Sequence, residues 1–394
     1  MKRFHVLLVM MLCCLLAFGG TASYAAGQGP RELQEVEELP FPDTVEGEAD
    51  QAGFVIAELE SPVSFHTVLQ TTVLDIGYKK VNRVADGKRE LSIPRGVVIT
   101  WKNDLAGDAS YVIFVGTKED LSDAVQLAVT EPANENGVYN YPIQNLYLGQ
   151  TYYYCITADD QYVSDTHSFT TDTVPPRNLF VEGVTNVRDM GGWTTEDGKA
   201  IKQGLLYRCG QLNTDGTPDP CITEAGIETM LTELGIKTEV DLRCDETQDN
   251  ENGGIKESVL GESVEYISIP MVAVDSLHEE TQQIKAFFEV LADESKYPIA
   301  FHCKIGTDRT GAMAYLLMGM LGVSLDDIYT EFTFSNTGNI GSPRGFDRLK
   351  TAIKSNSFTE PGGDTLQESC TNYLLSIGIT QETLQAIRDI LLGE

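Results

Sequence analysis

Basic side chains are scarce in this 394-residue chain, with 28 lysines and arginines against 59 aspartates and glutamates and a formal net charge of −31. So acidic a surface lacks the footprint that holds nucleic acid or an anionic membrane, and neither is expected as a partner. Histidine is rarer, at five, and no His/Cys cluster at ligand spacing occurs, so neither a metal nor another cofactor is expected. Beyond Cys13-Cys14 the cysteines are scattered without close pairs, which excludes a disulfide-stapled scaffold. No apolar run reaches the ~20 residues of a membrane-spanning helix. Disorder throughout is excluded too, because 42% apolar and 22% charged residues suit a globular chain.

What is present divides the chain. Lys2, Arg3 and His5 precede an apolar run, Val6–Phe18, and then the small residues Gly19 to Ala26 with a Ser23-x-Ala25 site. A basic start, a short apolar core and a small-residue site predict a signal peptide over 1–25, cleaved near Ala25, and a secreted or cell-surface protein. Leu12-Cys13 does not supply the small residues that a lipidation site needs. Residues 26–52 carry eight acids and one base between Arg31 and Asp50. This predicts a disordered acidic tether, unable to bury enough apolar surface to offset its ordering entropy.

From 53 to 174 the pattern is short β-branched and aromatic runs, Val97–Trp101, Tyr111–Val115 and Thr151–Thr157, separated by Asn/Asp/Gly-rich turns. That predicts an antiparallel β-sandwich. Leu146-x-Leu148-Gly149-Gln150-Thr151-Tyr152-Tyr153-Tyr154 and Ile99-Thr100-Trp101 resemble strands of fibronectin type III domains. The module has no catalytic constellation, so a spacer or a unit binding a surface ligand is expected. Asp172–Pro176, with adjacent prolines, reads as a hinge. After it, over 175–394, strands (Thr238–Leu242, Tyr266–Met271, Pro298–His302) alternate with helices. The helices are expected at Ile222–Leu234, Glu280–Ala292, Thr310–Leu321, Leu325–Phe334, Leu366–Ile377 and Thr380–Leu392, giving an α/β domain.

The chemistry concentrates in Phe301-His302-Cys303-Lys304-Ile305-Gly306-Thr307-Asp308-Arg309-Thr310-Gly311. A cysteine and an arginine bracketing a loop between a buried strand and an apolar helix suit one task, holding a phosphate dianion. Loop N–H groups can form an anion nest at the helix N-terminus. Gly306 permits a backbone conformation that a Cβ would penalise, and Arg309 offers a planar fork to two oxygens. The same field pulls the Cys303 thiol toward thiolate.

This loop resembles that of the secreted bacterial tyrosine-protein phosphatases. So do Asn186–Trp193, Leu206–Gly210 and Val240–Arg243, and together the resemblance covers about Asn178–Glu394. It implies a tyrosine-phosphatase-like α/β domain in which Cys303 is the nucleophile, Arg309 stabilises charge, and Lys304, Ile305, Gly306, Thr307, Thr310 and Gly311 bind substrate. The Thr310 hydroxyl would assist sulfur as it leaves, and His302 would order the loop. Asp308 is the first candidate for the general acid and Asp275 its rival, with Asp241 and Asp245 behind them. Asp241 and Arg243 equally suit loop support. Arg188 and Arg208 either line the pocket or tie the N-terminal segment to the core. Cys244 is either a resolving thiol for Cys303 or a buried free cysteine. Thr307 stands where the family usually has lysine, which disfavours highly charged headgroups. The expected substrates are phosphorylated proteins or small phosphomonoesters, the alternatives being phosphoinositide or inositol-polyphosphate hydrolysis and non-catalytic binding at a cell surface.

Overall fold

The computed structural model describes residues 33–103, 105, 109–213, 222–244, 251 and 253–393. The expected signal peptide and the candidate acid Asp245 lie outside the described residues. Residues Leu33–Glu394 fall in one compact unit.

Its N-terminal part contains strands β1 (Phe54–Ile56), β2 (Val97–Asn103), β3 (Tyr111–Gly116), β4 (Val125–Ala128), β5 (Tyr139–Ile143), β6 (Thr151–Ala158), β7 (Tyr162–Val163) and β8 (His167–Thr170). They form two antiparallel sheets, ordered β1–β2–β5 and β4–β3–β6, with β7 and β8 both pairing with β6. All three strands read from the β-branched runs are present. Phe54, Ile99 and Trp101 from one sheet and Ile113, Tyr154, Ile156 and Phe169 from the other make one core. Trp101 stacks on Tyr139 at 5.2 Å and meets Tyr111 edge-on at 5.9 Å, geometries that suit aromatic quadrupoles.

Two features depart from the expectation. The excursion between β1 and β2 contains helix α1 (Val68–Ile76), opened by a Thr67/Gln70 capping box. Its Leu69 and Val73 join Val81, Val84, Ala85 and the distant Phe334 in a separate cluster. The β-branched composition hid this helix, and the capping box was its one local signal. The described part of the acidic segment, Leu33–Asp50, is also not a free tether. Glu38 accepts the α1 N-terminal N–H groups of Val68 (2.8 Å) and Leu69 (3.0 Å), and Asp50 accepts those of Ala52 and Phe54 (2.9 Å each). Val45 is buried. Acids that read as a solvated run serve instead as caps for orphan N–H groups.

The C-terminal part is built on β9 (Arg188–Asp189), β10 (Leu206–Cys209), β11 (Thr238–Asp241), β12 (Glu265–Ser268) and β13 (Ile299–His302), ordered β12–β11–β13–β10–β9. All neighbours are parallel except β9 on β10. The helices are α2 (Glu224–Glu228), α3 (Thr281–Leu291), α4 (Asp308–Leu321), α5 (Leu325–Phe334), α6 (Phe346–Ser355), α7 (Leu366–Ser376) and α8 (Gln381–Leu392). The expected Ile222–Leu234 helix is α2 followed by a π turn, Thr229–Glu233. Every residue of α4 from Arg309 to Leu321 is buried, the pattern of a helix enclosed on all sides. Helix α6 was not expected: it buries only Leu349, Ala352 and Ile353, and four of its ten residues are charged. No helix among the described residues is long and apolar enough to cross a membrane.

The 172–176 stretch is bridged rather than bare. Arg177 is buried, donates to the Leu146 (2.9 Å) and Asn145 (2.6 Å) carbonyls of the N-terminal part, and pairs with buried Asp189 at 2.7 Å. Gln203 exchanges two hydrogen bonds with the Leu148 backbone. Removing one member of a buried ion pair strands the other. Arg177→Met should therefore lower unfolding free energy by about 3–5 kcal/mol in urea titration, and a loss under about 1 kcal/mol would contradict the pairing.

Candidate active site

Strand β13 ends at His302 and α4 begins at Asp308, so Cys303–Thr307 form the connecting loop. Its shape is imposed from outside. Gly306 has φ +66°, and a Cβ there would lie 2.2 Å from the Cys209 carbonyl oxygen, so only glycine fits. The loop's carbonyls face outward: Gln211 N–H donates to Lys304 O (3.1 Å), Asn186 Nδ2 to Ile305 O and Gly306 O (3.2 Å each), and Arg208 Nη2 to Gly306 O (2.6 Å). The N–H groups of Lys304, Ile305, Gly306 and Thr307 donate to no acceptor among the described residues. Unpaired donors converging before a helix N-terminus form an anion site.

Cys303 is buried. Burial alone pushes its thiol up, but the Arg309 charge and the Thr310 hydroxyl and N–H outweigh this and hold it below its ordinary value of 9.0. The Thr310 hydroxyl is buried with no other partner. Arg309 Nη1 donates to Glu251 Oε2 (2.6 Å) and Met271 O (2.8 Å), and Nη2 to Glu251 Oε1 (3.0 Å). Its Nε–H and the other Nη2 hydrogen have no acceptor among the described residues, leaving two parallel donors for a phosphoryl group. Burial opposes the charge of Glu251, yet the Arg309 bonds win and hold its carboxyl below the usual range.

Beneath the loop, His302 is wholly buried with Nε2 3.0 Å from Glu239 Oε1 and Nδ1 3.9 Å from Asp241 Oδ1. Burial disfavours its charge, but Asp241 and Glu239 raise its pKa above the ordinary value. Asp241 is engaged by Arg243 (Nη2, 2.7 Å) and by the Tyr266 hydroxyl (2.8 Å). Arg243 also donates to Asn213 O at 2.8 Å. This pair braces the sheet end under the loop and has no proton to deliver outward. Arg188 and Arg208 do not line the pocket either. Both are buried and share Glu331 on α5, Arg188 Nε at 2.8 Å and Arg208 Nη1 at 2.6 Å.

The two leading acid candidates share one side of the site. Asp308 pairs with Arg344 (3.3 Å) and Arg348 (2.5 Å). Asp275 is exposed on the turn Val274–Glu279, and its charge reaches Arg348. Thr307 is buried, and its hydroxyl donates to Ile305 O, so its side chain supports the loop and only its backbone N–H remains for a ligand. Cys244 is buried, donates to Met271 O (3.1 Å) and lies beside Arg309. A cavity of about 180 Å³, lined by Thr185, Gln211, Lys304, Ile305, Asn339 and Ile340 among others, flanks the loop. Sequence reasoning missed Glu251, Glu239, Glu331, Arg344 and Arg348, none of which belongs to a local motif. Asn186 lay inside a recognised motif but had no role assigned.

A low-pKa cysteine in an anion loop, backed by an oriented arginine, defines a cysteine-dependent phosphoryl-transfer site. A model of the tyrosine phosphatase family matches residues 179–393, and the chain belongs to that family, which makes this segment a phosphatase domain. A Cupriavidus necator protein carrying a tyrosine-protein phosphatase name is 29% identical over 188 residues, 41% of this chain and 64% of that protein. The chain thus spans somewhat under two thirds of that relative. Among solved structures, TpbA of P. aeruginosa in complex with pTyr is 18% identical, with a TM-score of 0.29, over 46% of this chain and 91% of that one. The catalytic core of the PP-IP phosphatase SIW14 of S. cerevisiae is 15% identical, with a TM-score of 0.27, over 40% and 92%.

Because Arg309 is foremost among the groups that lower the Cys303 pKa, iodoacetamide inactivation should have its pH midpoint below 9.0. Arg309→Met should move that midpoint upward by about a unit or more. An unchanged midpoint would mean that the arginine does not set the thiolate.

Proposed function

We propose that this protein is an exported phosphatase that hydrolyses phosphomonoesters, protein phosphotyrosine foremost, through a phosphocysteine. The observation that carries the reading is the set of unpartnered loop N–H groups, with the free Arg309 donors, around a buried low-pKa cysteine. The Cys303 thiolate attacks phosphorus, forming S–P as the P–O bond to the leaving group breaks. The leaving oxygen takes a proton from the general acid. Water then attacks phosphorus, giving a proton to the carboxylate left by the general acid and so restoring it, while S–P breaks and Cys303 leaves as thiolate with the Thr310 hydroxyl donating to it. Loop amides and Arg309 hold the equatorial oxygens throughout.

Asp308 is assigned as the acid and Asp275 is its rival. Asp308 has to leave at least one of its two arginines to give a proton, whereas Asp275 has no such pair among the described residues. Export is supported by Lys2-Arg3, the Val6–Phe18 run and the Ala25 site. A fibronectin type III-like spacer or ligand-binding role for residues 53–174 is supported by the two sheets closing over Trp101. A second reading, phosphoinositide or inositol-polyphosphate hydrolysis, is favoured by one observation: Arg344, Arg348 and Lys304 add cations near the loop.

Cys303→Ser should abolish aryl-phosphate turnover, and persistence of turnover would refute the mechanism. Phosphotyrosine peptide, phosphoserine peptide, phosphoinositide and phytate, compared by kcat/KM, separate the two substrate readings. Asp308→Asn should lower kcat about 10²–10⁴-fold and remove the alkaline fall of its pH profile. If Asp275→Asn does this instead, the assignment reverses.

A further inference from the structure

The phosphate loop is held partly by residues far outside the family's matched range of 179–393. The strand of chain after α1 runs beside the segment that follows α5: Gly87 N–H donates to Asn336 O (2.9 Å), Leu91 N–H to Thr337 O (2.6 Å), and Ile340 N–H to Gly87 O (2.8 Å). This pairing delivers Glu90 to Thr185 and Asn339, two residues that line the cavity beside the loop. One of its oxygens accepts from the Thr185 hydroxyl and from Asn339 N–H (3.2 Å); the other accepts from the Ser92 hydroxyl and from Ser92 N–H (3.1 Å). Ser92 Oγ in turn accepts Asn186 N–H at 3.2 Å, and Thr185 O accepts Gly210 N–H at 2.9 Å.

Asn186 is where this network meets the site. Its φ of +61° is uncommon for a residue with a Cβ and persists where surroundings over-determine it. Its side-chain amide donates to Ile305 O, Gly306 O and, at 3.3 Å, Thr307 Oγ1. Those bonds turn the loop's acceptors away from the anion and its N–H groups toward it. Glu90 thus has four donors around a single carboxylate, and their far side grips the loop.

We propose that Glu90 is a positioning residue for phosphoryl binding: through Ser92 and Thr185 it fixes Asn186, and through Asn186 the outward-facing carbonyls of the phosphate loop. The inference rests on the loop's being the phosphate site. On this account the N-terminal part is a working component of the active site, whatever ligand it also carries. Every partner of Glu90 is a donor, so a glutamine, which keeps one acceptor oxygen and adds a donor, serves only part of the network.

The test uses the full chain, with orthovanadate as probe. Glu90→Ala should weaken competitive inhibition by vanadate about tenfold and lower kcat/KM for an aryl phosphate by a similar factor, the scale of one charge-assisted hydrogen bond. It should also move the pH midpoint of Cys303 alkylation upward. Glu90→Gln should fall between it and the parent. Ser92→Ala, which removes the hydroxyl that links Glu90 to Asn186 and leaves the Thr185 branch in place, should shift vanadate inhibition the same way, and it decides the matter if Glu90→Ala does not fold. Glu38→Ala, at the α1 N-terminus, should lower the melting temperature yet leave vanadate inhibition unchanged. If Glu90→Gln and Ser92→Ala change only melting temperature, with vanadate inhibition and the alkylation midpoint within twofold and about 0.2 pH unit of the parent, Glu90 is merely structural and the proposal fails. Loss of the underlying reading looks different: the parent protein itself would show no Cys303-dependent turnover and no vanadate inhibition.

Discussion

Where protein groups alone hold a phosphate dianion they do so with hydrogens to give, so the site depends on which way the peptide groups of one short loop face. In this protein they are turned by tethers on their carbonyl side. Asn186, Arg208 and Gln211 take the carbonyl oxygens of Lys304, Ile305 and Gly306, and the N–H groups on the opposite edge of the loop meet no acceptor among the described residues. That one arrangement prepares the oxygen sites and fixes where Arg309 must reach, and Arg309 together with Thr310 lowers the Cys303 pKa. It also explains why Gly306 lies against the end of β10, since any Cβ would push the loop off its tethers.

The tethers need anchors of their own, and the molecule supplies them as buried charges in sets. Glu331 joins Arg188 and Arg208, Asp241 joins Arg243 and His302, and Glu251 turns Arg309. Burying such groups costs desolvation that their mutual attraction only partly offsets, so their value lies in geometry more than in stability. Acids in excess of bases, uninformative as a total, become local partners. The same holds at the N-terminal end, where Glu38 and Asp50 cap chain segments that an unpaired acidic run would leave solvated.

The sequence was most legible where local chemistry and periodicity agreed. The strand–loop–helix around Cys303 lies where it was expected, and Leu325–Phe334 is helical over the expected residues. The β-branched runs of the N-terminal part are strands. What escaped was set by tertiary partners. Helix α1 owes its burial to Phe334, more than 250 residues away in sequence, and nothing local marks Glu90, Glu251 or Glu331 among 59 acids. Thr307, which the resemblance places among the substrate-binding residues, commits its hydroxyl to Ile305 O within the loop and keeps only its backbone N–H for that task.

The central claim is that the loop presents its donors to a phosphoryl group in transit to Cys303. Rapid quench of the full chain during turnover of an aryl phosphate, followed by peptide mass spectrometry, tests it directly. The account predicts a transient acid-labile phosphate adduct on the peptide carrying Cys303, formed as fast as the phenol burst and decaying at the rate of turnover. Turnover without any adduct at Cys303, or with the phosphate on another residue, would contradict it.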